Sequence, residues 1–432
     1  MTIFKRGNFV AGLDIGTTKT CAVIARDEGN GSMKLEGFGE VPSRGIKKSM
    51  VINLENTVNT ILAAVREAEL CAGVPIESVY VGLSGNQIKG FNSRGVVAIE
   101  GKQKEISQRD VERVLAKTRE VSIPLDREIL HVLPQEFIVD DQSGIHNPIG
   151  MAGLRLEVEA HITTSTKTGS QNIKKCVNGA GLEVEGLVLE QIASGLDVLT
   201  DEEREQGVAL VDIGGGTSGL SIYVDGCIWH TAVIPVGGDQ ITNDLAIGLR
   251  TPNSEAEMIK KRAGIIRNIL PEENNETVEV PDLSGTKMRL IPVRLLSQII
   301  RPRVEEILLL IDHEIKRMGY DELLNMGIVI TGGTALLPGI AEVAEDIFKM
   351  PVRLGIPKTR AEFPRDLENP SFSCVRGLIQ YGIMNRLQQK LYEHSLLKSI
   401  KQKFNKWVLK FRNDKLSLPA TNFFMYPVTK KS

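Results

Sequence analysis

Two short segments, 198 positions apart from Asp14 to Asp212, repeat one unusual pattern, and that repeat limits the folds open to this chain. Phe9-Val10-Ala11-Gly12-Leu13 runs into Asp14-Ile15-Gly16-Thr17-Thr18-Lys19, and the β-rich run Thr20–Ala25 follows. Val208-Ala209-Leu210-Val211 runs into Asp212-Ile213-Gly214-Gly215-Gly216-Thr217-Ser218; Leu220–Val224 follows, closed by the hairpin pair Asp225-Gly226. Each copy reads as a buried strand ending in Asp, a glycine turn and a return strand. A duplication of this period predicts two similar halves facing one another. At 432 residues the chain has room for several domains of ~150 residues.

Helix and strand patterns alternate around the copies. The periodicity predicts a helix over Glu55–Ala72 with Val58, Ile61, Leu62, Val65 and Ala68 on one face. A strand is expected over Val79–Leu83, and a helix starting at Ser107 with Asp110 at the capping-box position. A long helix is expected over Leu295–Lys316. The apolar run Ile328-Val329-Ile330 then reads as a buried strand ending in Thr331-Gly332-Gly333-Thr334-Ala335, with a helix from near Leu337-Pro338. This alternation gives an α/β class. Positions 265–294, with Pro271, Pro281 and Gly285, read as a small loop-rich or β unit.

Composition closes other routes. Hydrophobic residues at 42% and charged residues at 25% exclude a disordered or fibrous chain, and a net charge of −2 gives no overall pull on nucleic acid. The five cysteines are widely spaced and never in a CxxC pair, so no zinc site or disulfide framework is expected and a reducing compartment fits. The six histidines are not at metal-ligand spacing and read as ordinary polar residues. The first residues carry no apolar h-region, and no apolar run approaches the ~18–20 residues of a bilayer span. Neither a secretory leader nor a spanning helix is expected.

The glycine turns carry the chemistry. Glycine lets backbone N–H groups approach an anion closely, so two such hairpins can grip a polyphosphate from opposite sides. Hydroxyls of Thr17, Thr18, Thr217 and Ser218 add donors, and Lys19 adds a mobile charge. Asp14 and Asp212 repel phosphate and make sense only with Mg²⁺ or water in between. Gly332 and Gly333 are placed to line a base or ribose. A Rossmann GxGxxG and a Walker A sequence are both absent, so the reading rests on the order of all three turns.

In that order DIGTTK, DIGGGTS and ITGGTALLPG resemble the phosphate-1, phosphate-2 and adenosine motifs of the actin, Hsp70 and sugar-kinase superfamily. Leu189–Gly195 is similar to its first connecting helix, where an acid or Gln contacts Mg²⁺ or the attacking water; Glu190 is the matching residue. Glu257 with Lys260 and Lys261 resembles the Glu-x-x-Lys helix around ribose and adenine. The resemblance implies ATP and Mg²⁺ as cofactors. It implies nucleotide contacts at Asp14, Gly16, Thr17, Thr18, Lys19, Gly214, Gly215, Gly216, Thr217, Ser218, Glu257, Lys260, Lys261, Gly332, Gly333, Thr334 and Ala335. Asp14 and Asp212 would reach Mg²⁺ through water, and Asp212 with Glu190 would serve a weak ATPase. Within the superfamily, GDQITNDLAIGLRTPNSEAEMIKKRAG, RPRVEEIL and PRDLENPSFSCVRGLIQYG resemble the bacterial cell-division FtsA family.

That family implies an actin-like two-domain ATPase fold with an inserted subdomain in the first half and a C-terminal amphipathic helix. Its subdomains map here to 1–83 and 164–206 (1A, completed by about 373–388), 84–163 (the insert, 1C), 207–237 and 295–372 (2A), and 238–294 (2B). A linker over 389–395, a membrane-targeting helix over 396–412 and a tail over 413–432 follow. The implied function is an ATP-binding protein that polymerises, tethers the FtsZ ring to the cytoplasmic membrane and helps recruit later division proteins. Implied partners are the FtsZ C-terminal tail, further copies of the chain, an anionic membrane surface and other division proteins, with no nucleic acid. The implied location is peripheral, on the cytoplasmic face at the division site. Arg289, Arg301 and Arg303 would meet the acid of the FtsZ tail; salt bridges within the fold are the other reading of the three. Two further classes were open on the fold alone: a small-molecule (sugar-type) kinase, and an Hsp70-like chaperone. Fewer than fifty residues after Arg386 leave no room for a chaperone's substrate domain.

The C-terminal segment can be read without the family. Leu396, Leu397, Ile400, Phe404, Trp407, Val408 and Phe411 recur at spacings of three and four, and Lys398, Lys401, Lys403, Lys406, Lys410 and Arg412 fill the other face. Aromatic residues opposite an unbroken basic face suit a headgroup interface, each cation contributing ~1 kcal/mol near an anionic leaflet. The alternative is a helix docked on its own domain. The role of Asn422–Tyr426 beyond it is left open.

Overall fold

The computed structural model describes residues 8–29, 32–101, 104–266, 276–357 and 367–389. The expected duplication is visible in its sheets. The first runs, in spatial order, Glu183–Leu189, Ser78–Leu83, Phe9–Ile15, Lys19–Gly29 and Ser32–Pro42. The second runs Cys227–Ile234, Ser218–Val224, Val208–Ile213, Ile328–Thr331 and Val352–Leu354. In both, three strands form an antiparallel meander, and two parallel strands extend it from the meander's first strand. Asp14 faces Cys21 across its hairpin and Asp212 faces Gly219, so each Asp closes the top of an equivalent strand pair.

Helices cover these sheets for local reasons. Leu54–Ala72 begins at Asn53, whose side chain accepts the Asn56 N–H at 2.9 Å, and ends at Gly73 with φ 67°. Ile61, Ala64, Val65 and Ala68 are buried on its sheet face, each large aliphatic contributing ~1.5–3 kcal/mol, while Leu62 is only half-buried. The capping box at Ser107 forms: the Asp110 carboxylate accepts from Ser107 N at 3.1 Å and Ser107 Oγ at 2.5 Å. The long helix spans Val293–Met318, two residues further at each end than the periodicity suggests, because the hairpin before it and Gly319 after it set its limits. Positions 265–294 contain the hairpin Thr277–Pro281 with Met288–Pro292; Pro271–Asn275 lie outside the described residues.

Between Leu83 and the helix Lys167–Gly179 the chain builds a unit with its own apolar core. Its sheet runs Lys89–Ala98, Arg155–Thr166, Arg127–Val139 and Gln142–Ile145, covered by the helix Gln108–Thr118. The buried Arg127 pins both of its ends, donating to Gln87 O at 2.7 Å and to Thr164 O at 2.9 Å. The unit also meets the second half, where His161 Nε2 and Thr231 Oγ1 lie 2.8 Å apart. His230 pairs with Glu314 at 3.0 Å, so these histidines do have ordinary polar roles.

Two helices join the halves: Glu190–Val198 and the last described helix, residues 373–389. Arg376 Nε lies 2.9 Å from Asp197 Oδ2, and Gln380 donates to Asp197 Oδ1 at 2.6 Å, with both charged groups sealed from water. Losing one partner of such a pair costs ~3–5 kcal/mol, because the other is left buried and uncompensated. The last helix continues through residue 389, where a linker was expected. The amphipathic segment 396–412 and the tail 413–432 lie outside the described residues.

Candidate nucleotide-binding site

The two glycine turns touch. Asp239, at the start of the helix Gly238–Leu249, donates its N–H to Gly215 O at 2.8 Å and accepts from Thr18 Oγ1 at 3.4 Å. Ser49 links the same loops: its N–H donates to Thr17 Oγ1 at 3.0 Å, and its hydroxyl lies 3.2 Å from Thr217 Oγ1. A Cβ on Gly215 would stand 2.0 Å from Thr18 Oγ1, and one on Gly216 2.4 Å from Thr17 Oγ1. Only glycine allows this approach, which brings the two halves into contact at their turns. Gly16 is equally confined, its Cβ position lying 2.8 Å from Lys19 O. Ser218 differs from the expectation. Its buried hydroxyl donates to Val236 O at 2.7 Å, so it stabilises the hairpin and only its backbone faces the turn.

Lys19 is not a mobile charge in this structure. Its ammonium donates to Ser371 Oγ at 3.2 Å, lies 3.6 Å from Glu40, and sits 3.4 Å over the Phe372 ring. The cation–π contact and the hydroxyl hold it against the start of the last helix.

Three carboxylates, Asp14, Asp212 and Glu190, are half-buried around the turns. Burial pushes Asp14 up to about 6, Lys19 pulls it down, and Asp212 raises it further. Burial likewise pushes Asp212 up to about 6, against a hydrogen bond from Ser194 Oγ at 2.6 Å. Glu190 is held well above the usual carboxylate range by burial and then by Asp14 and Asp212. Like charges brought together in a low dielectric resist ionisation, and a nearby cation relieves them. Hard carboxylate oxygens suit Mg²⁺, which keeps several of its waters. Among the described residues no group of three or more His, Cys, Asp or Glu is arranged to hold a metal ion directly. The oxygen donors of Asp14, Asp212 and Glu190 have the chemistry that a hydrated Mg²⁺ accepts.

The third glycine turn packs on the second. Gly332, with φ 88°, packs against Asp212, whose Oδ1 would be 2.4 Å from any Cβ there. Thr334 Oγ1 donates to Gly214 O at 3.1 Å, Ala335 is buried behind it, and Gly333 lies beside Ser371. A short 3-10 turn over Gly333–Leu336 follows, and the helix begins only at Ile340, after Gly339 in the left-handed region. Pro338 and Gly339 delay it past the expected start. Glu257 pairs with Lys260 at 2.6 Å and accepts from Thr242 Oγ1; Lys260 also donates to Gly238 O at 3.1 Å. Lys261 stands outside, exposed, 3.5 Å from the same carboxylate.

The sequence reading missed Ser49, Ser194, Asp239, Thr242, Ser371 and Cys374. Ser194 follows Glu190 by four residues, a helical spacing that marks a shared face. Asp239 follows Gly237-Gly238 at a helix start. Cys374 has no such signal: its buried thiol, beside the Asp14 carboxylate, arrives from a residue 360 positions away. The arginines expected to meet a partner are engaged within the fold. Arg303 is bidentate to Asp244, at 2.6 and 3.2 Å, and also reaches Glu306. Arg301 pairs with Glu305 at 2.7 Å, and Arg289 donates to Leu249 O and Arg250 O.

Comparisons agree with this architecture. The family model described as "Cell division protein FtsA" matches residues 209–377, and "SHS2 domain inserted in FTSA" matches residues 85–164. The chain is 44% identical over 386 residues to the cell division protein FtsA of Pseudomonas aeruginosa, covering 89% of this chain and 92% of that protein. Among solved structures it is similar to the PilM-PilN type IV pilus biogenesis complex, with a TM-score of 0.63 at 16% identity, covering 87% of this chain and 98% of that one. MreB5 of Spiroplasma citri bound to ADP gives 0.51 at 14% identity, covering 92% and 99%. Likenesses at this identity establish the fold as actin-like. No described helix is long and apolar enough to cross a membrane. The chain, 44% identical to a cell division protein over nearly its whole length, belongs to the FtsA family.

Proposed function

We propose that this chain binds Mg²⁺-ATP between its two glycine hairpins, assembles with copies of itself, and tethers the FtsZ ring to the cytoplasmic face of the membrane while helping recruit later division proteins. The observation that carries the nucleotide reading is the meeting of the hairpins, Thr18 to Asp239 and Ser49 to Thr217, amid three half-buried carboxylates. MreB5 solved with ADP and with AMPPNP supports it by fold. Backbone N–H groups of Gly214–Gly216 and the hydroxyls of Thr17 and Thr18 would hold phosphate oxygens, and Lys260 with Glu257 would flank the ribose. Asp14 and Asp212 would hold Mg²⁺ through water, and the bound ion would supply the positive charge that offsets phosphates and carboxylates. Asp212 and Glu190 would orient a water for slow hydrolysis.

The segment 396–412 is the proposed anchor, its apolar stripe entering the headgroup boundary and its lysines meeting anionic lipid. The FtsZ tail would dock on the edge formed by the hairpin Thr277–Pro281 with Met288–Pro292 and the helix after it. There the exposed Met288 and Leu290 offer apolar contact beside Arg289 and Arg301. Arg303 would contribute only by exchanging Asp244 for the peptide's acid.

Sedimentation of FtsZ with anionic vesicles tests the tether. With this chain and Mg²⁺-ATP, FtsZ should pellet with lipid. Trp407→Glu should leave FtsZ in the supernatant while ATP binding and the thermal melt stay as in the parent, since it places a charge in the acyl boundary. Vesicle binding that survives Trp407→Glu, with a lowered melt, would assign the helix to the core instead.

A further inference from the structure

Asp212 is aimed by one buried hydroxyl, with two more packed behind it. Ser194 is wholly buried on the helix Glu190–Val198, and its Oγ donates to Asp212 Oδ2 at 2.6 Å. Ser373 Oγ lies 3.5 Å from Ser194 Oγ, 3.1 Å from Thr331 Oγ1 and 2.9 Å from Pro370 O. Thr331 and Ser373 are sealed from water as well. Counting protons limits what each hydroxyl can do. An ionised carboxylate only accepts, so the single hydroxyl proton of Ser194 is committed to Asp212. Ser194 can then only accept, and the Ser373 proton goes to the nearer Pro370 O as that of Thr331 goes to Gly355 O at 2.9 Å, so both hydroxyls pack behind Ser194 without donating to it.

The three hydroxyls come from segments far apart in sequence: the strand that precedes Gly332, the start of the last helix, and the connecting helix. Ser194 fixes Oδ2, while Oδ1 lies against Gly332, where no side chain could stand. The same short segment also receives Lys19 at Ser371 and brings Cys374 to Asp14. Residues 371–374 thus meet both charged groups of the first hairpin and come up to the second hairpin's Asp212 only behind Ser194.

We propose that Ser194, backed by Ser373, is a positioning residue: it holds Oδ2 so that Oδ1 is presented to the hydrated cation and water of the nucleotide site. This rests on the nucleotide-site reading given under Proposed function. A purely structural serine would satisfy its own buried oxygen and leave magnesium dependence alone.

The test compares the full chain with Ser194→Ala, Ser194→Cys and Ser373→Ala, measuring ATP affinity by calorimetry with Mg²⁺ and with excess chelator. Ser194→Ala should lose roughly tenfold in Mg²⁺-ATP affinity, the worth of one hydrogen bond to a charged group. Its metal-free ATP affinity should match the parent's. Ser194→Cys, a weaker donor of similar size, should fall between the two, and Ser373→Ala should show a smaller loss of the same magnesium-dependent kind. Equal losses with and without Mg²⁺, or no loss, would overturn the assignment. Should Ser194→Ala not fold, Ser194→Cys decides alone, and an unchanged magnesium dependence there overturns it too. Failure of the site reading looks different, because the parent itself would then bind ATP under neither condition.

Discussion

The two glycine-turn hairpins share strand order, register and a terminal Asp, yet they are equipped differently. The first turn is Gly16-Thr17-Thr18-Lys19 and works through side chains. The second is Gly214-Gly215-Gly216-Thr217 and works through bare backbone pressed against the first. The acids differ in the same way. Asp14 has a cation, Lys19, and a thiol beside it; Asp212 has only the hydroxyl of Ser194. Both nevertheless end at about 6, because burial is the leading cause for each. The duplicated fold sets how deep the acid sits, and depth outweighs the loop's own chemistry. One half is therefore free to supply charge while the other supplies close approach.

The sharpest way to break that division is to give the second turn a side chain. Gly215→Val puts a branched group where a Cβ already stands 2.0 Å from Thr18 Oγ1. Thr18 is exposed, so its hydroxyl can swing aside and the fold should persist. ATP affinity should drop by about a hundredfold or more, since the backbone can no longer close on phosphate. Calorimetry showing undiminished affinity would mean that the turns do not share a ligand. The corresponding change in the first half is Asp14→Ala. It should weaken Mg²⁺-ATP by roughly tenfold, as for losing one charged contact, and leave metal-free ATP nearly untouched. Equal losses would make Asp14 structural.

A subtler probe separates the acids from the ligand altogether. Each has a folded-state pKa near 6 against 3.8 when free, so the unfolded chain releases its proton first. Stability should therefore fall as pH rises from about 4 to 6 and level off above that. Without nucleotide, Asp212→Asn should melt higher than the parent at pH 7.5, by on the order of 1–2 kcal/mol after allowing for partial exposure, and about the same at pH 4. A parent melt that does not change between pH 4 and pH 7.5 would mean the acids repel less than their burial implies. A gain in the variant would mark Asp212 as a residue kept at the expense of the fold, as the proposed ligand role requires.

Much of this was legible in the residues because it is local or periodic. The Asp-Gly turns located both hairpins, the apolar spacing located the helix Leu54–Ala72 to within a residue, and Ser107 with Asp110 announced its capping box. What escaped depends on distant packing. The partner of Lys19 is Ser371, 352 positions on, and Arg303 finds Asp244 across two helices. Neither spacing leaves a trace in a window of a few residues. The late helix start at Ile340 was missed for a different reason: a 3-10 turn and a left-handed Gly339 intervene where Leu337-Pro338 looked like a first turn.

The outer parts of the two halves give the gentlest comparison. In the first half the inserted unit is clamped by Arg127, buried and bound to carbonyls of its entry and exit. In the second, Arg303 on the helix Val293–Met318 holds Asp244 on the helix Gly238–Leu249 across a half-exposed surface. Water screens such a pair, and the two helices already share buried Leu245, Leu249, Leu296 and Ile300. Arg303→Ala should thus lower stability by less than ~1 kcal/mol, small beside the changes above, and leave ATP affinity unchanged. It should also reduce binding of an FtsZ tail peptide, measured by fluorescence anisotropy, only if that peptide displaces Asp244. The control is Asp244→Asn, which releases Arg303 without removing it. If the peptide competes for the guanidinium, Asp244→Asn should tighten peptide binding where Arg303→Ala weakens it. Peptide affinity indifferent to both changes would leave Arg303 a clasp between two helices, with Arg289 and Arg301 as the remaining cations on that edge.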